Sequence, residues 1–193
     1  MAQTIPLFPL HTVLFPGGPL RLRIFEPRYL DMVSRCIRES SAFGVALIVD
    51  GREVGPAKTV NIGTTARILD FERLSDGLLG ISARGEHRFR IESVAIQADG
   101  LNVADVELLH ETVAGIPAEL KGLSKLMGEI YPQVSLHYDE VVPKLEDAGW
   151  VSSRLAELLP VEPAIRQACL ERDDAVERLR YLASIISAAQ PDS

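Results

Sequence analysis

Hydrophobic and polar positions along this 193-residue chain follow two periods, and the change between them falls near Ile116-Pro117. Leu20, Leu22 and Ile24 alternate with Arg21 and Arg23, the pattern of a half-buried strand. Pro27 suits the first turn of a helix, where its missing donor costs nothing, and Glu26 places negative charge at that helix's positive end. Leu30, Val33 and Ile37 then recur at helical spacing, which predicts a helix over about residues 28–39, stopped by Ser40, Ser41 and Gly44. The apolar run GVALIVD (44–50), the run 60–74 with a break expected at Gly63, LLGISAR (78–84), the alternation of Arg88, Arg90 and Glu92 with Phe89, Ile91 and Ser93, and LNVADVELL (101–109) all read as strands. Asp76-Gly77 between two of them is a hairpin signal. Six or so short strands with regular turns and one early helix imply a closed or nearly closed small barrel.

Beyond residue 117 the period becomes helical. Leu120, Leu123, Leu126, Met127 and Ile130 share one face and are expected to end before Pro132. Trp150, Leu155, Leu158 and Leu159 form another segment, stopped by Pro160. Pro163 opens the next, with Ile165 and Cys169 inward. Asp174 and Glu177 have the spacing of a capping box, and Val176, Leu179, Ala183 and Ile186 follow as an apolar stripe. The expected fold is α+β, with a β-barrel subdomain at 1–114 and a helical bundle at 115–193.

The opening stretch IPLFPLHTVLFPGGPLRLRIFEP holds five prolines, Pro6 to Pro27, inside an apolar segment. Proline is confined in sheets to edges, strand starts and bulges, so neither a plain central strand nor a long helix fits. Short extended pieces at a barrel seam are expected, holding Leu7, Phe8, Leu10, Leu14 and Phe15 in set directions. Two readings stand: all five point into the core, or Phe8, Leu10, Leu14 and Phe15 supply part of an exposed binding patch. Glu26, Arg28, Tyr29 and Arg88 are further binding candidates. For Glu26 and Arg28 the alternative is a structural pair at the strand–helix junction. For Arg88 it is a strand position beside a turn at Gly85.

A net charge of −7 gives no global basic footprint of the kind nucleic-acid binders show. Cys36 and Cys169 are far apart and form no CxxC pair, which reads as two small buried residues in a reducing, cytoplasmic setting. No run approaches the roughly 18 apolar residues of a membrane span, and MAQTIPLFPL lacks the basic start of a signal peptide.

Catalytic patterns fail on geometry. GREVGPAKT (51–59) places Pro56 and Ala57 between glycine and Lys58, and a strand follows where a phosphate loop requires a helix. GISAR (80–84) lacks the closing glycine of a nucleophile elbow. HETVA (110–114) lacks the second histidine of a zinc protease. The four histidines form no cluster, and Asp139, Glu140, Glu146 and Asp147 read as solvated surface. No metal, cofactor or enzymatic activity is expected.

The ordered series PLFPLHTVLFPGGPLRLRIFEPRYLDMV, FGVALI (43–48), GREVG (51–55), IGTTARI (62–68), DGLLGISARGEHRFRI (76–91) and ADVELL (104–109) strongly resembles the N-terminal domain family of Lon proteases. WVSSRLAELLP (150–160) and LERDDAVERLRYL (170–182) extend the resemblance over nearly the whole chain. It implies a PUA-like pseudo-barrel followed by a helical bundle, and a part in recognising unfolded or tagged polypeptide. The ATPase and Ser-Lys peptidase domains of such proteases have no room in this chain, so the expectation is a stand-alone, non-catalytic recognition or adaptor domain, acting on polypeptide or with a protease or chaperone partner. Its oligomeric state is left open. The rival reading is RNA binding, since PUA-like barrels in other families bind RNA. Arg84, Arg88 and Arg90 support it, while the acidic balance opposes it.

Overall fold

The strand order is set by how β1 (Ala2–Leu10) divides its hydrogen bonds. The structure, a computed structural model, describes residues 2–53, 57–138 and 141–189. Residues 2–6 of β1 pair antiparallel with β7 (Asn102–Leu108), whereas residues 7–10 pair parallel with β3 (Phe43–Gly51). The remaining strands are β2 (Pro19–Ile24), β4 (Ala57–Thr59), β5 (Ile62–Arg73) and β6 (Leu79–Ile96), in the order β1-β7-β6-β5-β3-β4 with β2 added on β6. The second pairing of β1, to β3, closes that path into a five-stranded ring. Pro6 and Pro9 lie inside a strand after all. Each half of β1 is paired on one side only, which leaves an open side for a residue that lacks a donor.

Side chains alternate across β1 with period two. Ile5 and Leu7 enter one cluster with Phe89, Ala104 and Val106. Phe8 and Leu10 enter another with Tyr29, Met32, Val33, Phe43 and Ile81. Both faces of this strand are therefore core.

Two expected turns are absent because small residues serve close packing instead. Gly63 does not break β5: a Cβ there would lie 2.3 Å from the Val45 carbonyl oxygen. Gly85 lies within β6, which runs unbroken for 18 residues where two strands and a turn were expected. A Cβ at Gly85 would lie 2.2 Å from the Phe15 carbonyl oxygen. Its backbone also exchanges hydrogen bonds with Gly17 and Gly18, which holds the proline-rich loop against the sheet.

Helix α1 (Pro27–Glu39) has Pro27 in its first turn, as expected. Its buried stripe is Tyr29, Met32, Val33 and Cys36, so Leu30 and Ile37 fall beside it and are more than one-third exposed. Cys36 and Cys169 are free and buried, and burial pushes both thiols up from their ordinary values.

The chain divides into two compact units at His110–Glu111. The second holds a short 3-10 turn (Ala118–Leu120), α2 (Lys121–Val134), a second 3-10 turn (Ser135–His137), α3 (Ala148–Leu158), α4 (Pro163–Leu170) and α5 (Ala175–Ala189). Helix α2 continues through Pro132, where an end was expected. So close to the C-terminus a proline removes only one helical bond, and Tyr131 still extends the buried row of Leu123 and Met127. The Asp174 carboxylate caps α5 by accepting from the Val176 and Glu177 amides at 2.7 and 2.9 Å, and those two bonds hold it below the usual carboxylate range. Glu177 does not complete the box but pairs with Arg180. The inward stripe of α5 is Ala175, Leu179 and Leu182 with Arg178, shifted from the expected one. Arg178 is fully buried, and its guanidinium donates to the carbonyls of Cys169 and Arg172 at 3.0 and 2.9 Å.

Between β5 and β6 the loop spans five residues, Leu74 to Leu78. The Gly77 amide donates to the Leu74 carbonyl at 2.9 Å, and Gly77 has φ +86°. A Cβ at Gly77 would meet nothing nearer than the Arg73 guanidinium at 3.8 Å, so backbone strain alone opposes a side chain. Gly77→Val is expected to destabilise the protein by about 1 kcal/mol or more. Urea unfolding reads this directly, and an unchanged midpoint contradicts it.

Candidate binding surface

The proline-fixed segment is interior. Phe8, Leu10, Leu14 and Phe15 are 6%, 3%, 4% and 0% exposed, so the exposed-patch reading of these four residues is not met. Phe8, Leu10 and Leu14 pack in the cluster that Tyr29, Met32, Val33 and Cys36 of α1 join. Phe8 stacks on Tyr29 with ring centroids 4.0 Å apart, and Phe43 lies 6.1 Å away. Tyr29 is buried as well, and desolvation raises its phenol above the ordinary value.

Glu26 and Arg28 make an ion pair of 2.8 Å and are both mostly buried. Arg28 also donates to the Gly100 carbonyl at 2.8 Å and lies 4.7 Å over the Tyr29 ring. These contacts pin the start of α1 to the β6–β7 turn. Arg88 is fully buried in β6, and its carbonyl accepts from the Leu109 amide. The eight candidates thus fall into five buried apolar or aromatic residues, one junction pair and one interior cation. They do not converge on an open cleft.

Of the failed motifs, residues 54–56 of GREVGPAKT and Asp139 and Glu140 lie outside the described residues. Among the described residues no His, Cys, Asp and Glu cluster has metal-binding proximity, and no helix is long and apolar enough to cross a membrane.

Exposed apolar side chains lie elsewhere. Beyond Ala66, β5 leaves β3 and continues to Arg73 paired with β6 alone. This projecting ribbon carries Leu69 and Phe71, 49% and 56% exposed. Together with Ile37 of α1 they border a cavity of about 200 Å³ that Ser40, Ser41 and Ile68 also line. On the ribbon's other face a groove of about 400 Å³ runs past Arg21, Arg23, Asp70, Glu72 and Leu74, with Gly80 and Ser82 opening the sheet beneath it. Arg23 is paired with Asp76 across this groove.

This surface was not among the sequence-derived candidates. Its signal was the run ILDFER, whose Leu69 and Phe71 continue the apolar alternation past the residues that β3 can cover. Ile37 was assigned inward because i, i+3 and i+7 spacing alone does not say which of two adjacent stripes faces the sheet.

The first unit is a ring closed by a strand shared between parallel and antiparallel partners, and the second is helical. Residues 4–188 match the family described as the ATP-dependent protease La (LON) substrate-binding domain, and the chain belongs to that family. It is similar to the crystal structure of a Lon N-terminal domain protein from Xanthomonas campestris, at 37% identity and TM-score 0.81 over 94% of this chain and 98% of that one. Lon protease 2 of Myxococcus xanthus is 24% identical over 195 residues, covering 96% of this chain, and protein cereblon of Gallus gallus is 32% identical over 58% of it. The chain spans about a quarter of the length of these curated relatives, 24% and 25% respectively.

The burial pattern separates two phenylalanines. Phe8→Ala removes a stacked core ring and is expected to cost roughly 3–5 kcal/mol. Phe71→Ala removes an exposed one and is expected to change stability by about 0.5 kcal/mol or less. Urea melts of the two variants side by side check this, and equal losses contradict it.

Proposed function

We propose that this chain is a non-catalytic recognition module that binds unfolded or tagged polypeptide, acting as an adaptor or regulator beside a protease or chaperone partner in the cytoplasm. In this reading residues 1–114 are a PUA-like pseudo-barrel and residues 115–193 a helical bundle. The observation that carries the proposal is the substrate-binding-domain match over residues 4–188. The exposed apolar row of Ile37, Leu69 and Phe71 supports it, since clustered exposed apolar side chains on a folded domain mark contact surfaces.

The RNA-binding alternative is weakened at two of the three arginines, Arg84, Arg88 and Arg90, that suggested it. Arg88 is buried and Arg90 is paired with Glu107 at 2.9 Å. Arg67, which would extend a basic stripe, is held by Glu86. With a net charge of −7, the remaining surface offers little to a phosphate backbone.

A pull-down with immobilised protein separates the two. Reduced, unfolded casein is expected to be retained at low and high salt alike, because apolar contact is not screened. Structured and single-stranded RNA are expected not to be retained at either. Retention of RNA that disappears at high salt, with no retention of casein, contradicts the proposal.

A further inference from the structure

The free edge of β5 has three properties that together specify an occupant. The first is unpaired backbone. β3 reaches β5 only through Thr64, Thr65 and Ala66, so from Arg67 to Arg73 no strand among the described residues pairs on that side. The row is a template for an added strand, with a bulge between Ile68 and Asp70 and the Phe71 amide held by the Asp70 carboxylate. Its near end is marked by Arg67, whose guanidinium donates to the Ser40 carbonyl at 2.8 Å and pairs with Glu86.

The second property is an apolar receptacle beside the edge. The cavity of about 200 Å³ between Ile37 and the ribbon is bordered by Ile68, Leu69 and Phe71. Phe71 is opposite Ile81 and Ile68 opposite Ala83, two buried residues, so these positions belong to the sheet's inner face.

The third is charge. Asp70 is opposite Ser82 and Glu72 opposite Gly80, so both carboxylates belong to the outer face beside small, uncharged neighbours. Four arginines share that face: Arg67 on β5 itself, held by Glu86, Arg84 on β6, and Arg21 and Arg23 on β2, two strand spacings or about 10 Å away. Arg23 is already paired with Asp76. The Glu72 carboxylate has no ion pair or hydrogen bond among the described residues. Asp70 accepts the Phe71 amide at 2.8 Å.

We propose that an extended polypeptide segment alternating apolar and basic side chains adds as a strand to residues 67–73 of β5, with its apolar side chains beside Ile37 and Phe71 and its basic ones against Asp70 and Glu72. This rests on the polypeptide-binding reading and names its mode and its preference. A second copy of this edge fits less well. Antiparallel self-pairing centred on Asp70 sets the two Asp70 carboxylates opposite each other, and centring on Phe71 opposes Asp70 to Glu72. Like charges facing each other across strands repel.

The test titrates the 193-residue chain with labelled seven-residue peptides by fluorescence anisotropy. The peptides are one alternating leucine and arginine, one alternating leucine and glutamate, a block isomer of the first, and two forms of the first N-methylated on one or the other set of alternate amides. The alternating basic peptide is expected to bind more tightly than the acidic peptide and the block isomer. Methylation of one amide set is expected to weaken binding by about tenfold or more, as several backbone hydrogen bonds are lost together, and methylation of the other set to change it little. Glu72→Lys, on the exposed ribbon, is expected to reverse the basic-over-acidic preference.

Equal binding of both methylated forms, or of the block isomer, overturns the edge assignment. If that occurs while unfolded casein still binds, the polypeptide-binding reading stands without it. If neither casein nor any peptide binds, both fall. Self-association of the chain that Glu72→Lys alters in the absence of peptide assigns the edge to a second copy and also overturns the proposal.

Discussion

Everything in the β unit follows from one strand serving two partners. Because β1 gives residues 2–6 to β7 and residues 7–10 to β3, it joins the two ends of a sheet that would otherwise be open. The hand-over falls between Pro6 and Leu7. Apolar residues on both faces of the strand, Ile5 and Leu7 on one and Phe8 and Leu10 on the other, make the same segment central to both hydrophobic clusters. Closure also forces the close approaches at Gly44 and Gly63. An added Cβ at Gly44 would meet Ile5 and Leu7, and one at Gly63 would meet Phe89 and the Val45 carbonyl.

This constraint decides what remains for recognition. Segments that join the ring are buried on at least one face and spend their backbone bonds on neighbours. Segments that overshoot it have edges and faces left over. The β5–β6 ribbon overshoots β3 by seven residues, 67 to 73, and carries exposed Leu69 and Phe71. A closed ring supplies the rigidity, and the overshoot supplies the accessible backbone.

Much of the fold was legible because it rests on local rules. Pro27 marked the start of α1, Asp174 the cap of α5 and Gly77 a turn with positive φ. What was not legible depends on partners distant in sequence. Gly63 and Gly85 look like breaks in one dimension, yet each accommodates a backbone carbonyl from another segment. Phe8 looks like a patch candidate until Tyr29 of α1 stacks on it, and Phe15 is fully buried where its segment packs on Gly85. Arg88 reads as an outward strand residue, and the bulge between Thr64 and Ala66 in the β5–β6 pairing is a local shift that simple alternation does not anticipate. The apolar candidates Phe8, Leu10 and Leu14 serve the core, and Glu26 and Arg28 the start of α1.

Hydrogen exchange with and without bound unfolded polypeptide tests the central division between a structural ring and a projecting recognition edge. The account predicts added protection at the amides of residues 67–73. It also predicts that residues 2–10, already protected in the free protein, change little. Added protection in residues 2–10 with none in 67–73 would contradict it, because the proline-fixed strand would then be the recognition surface and the ring would have to open to bind.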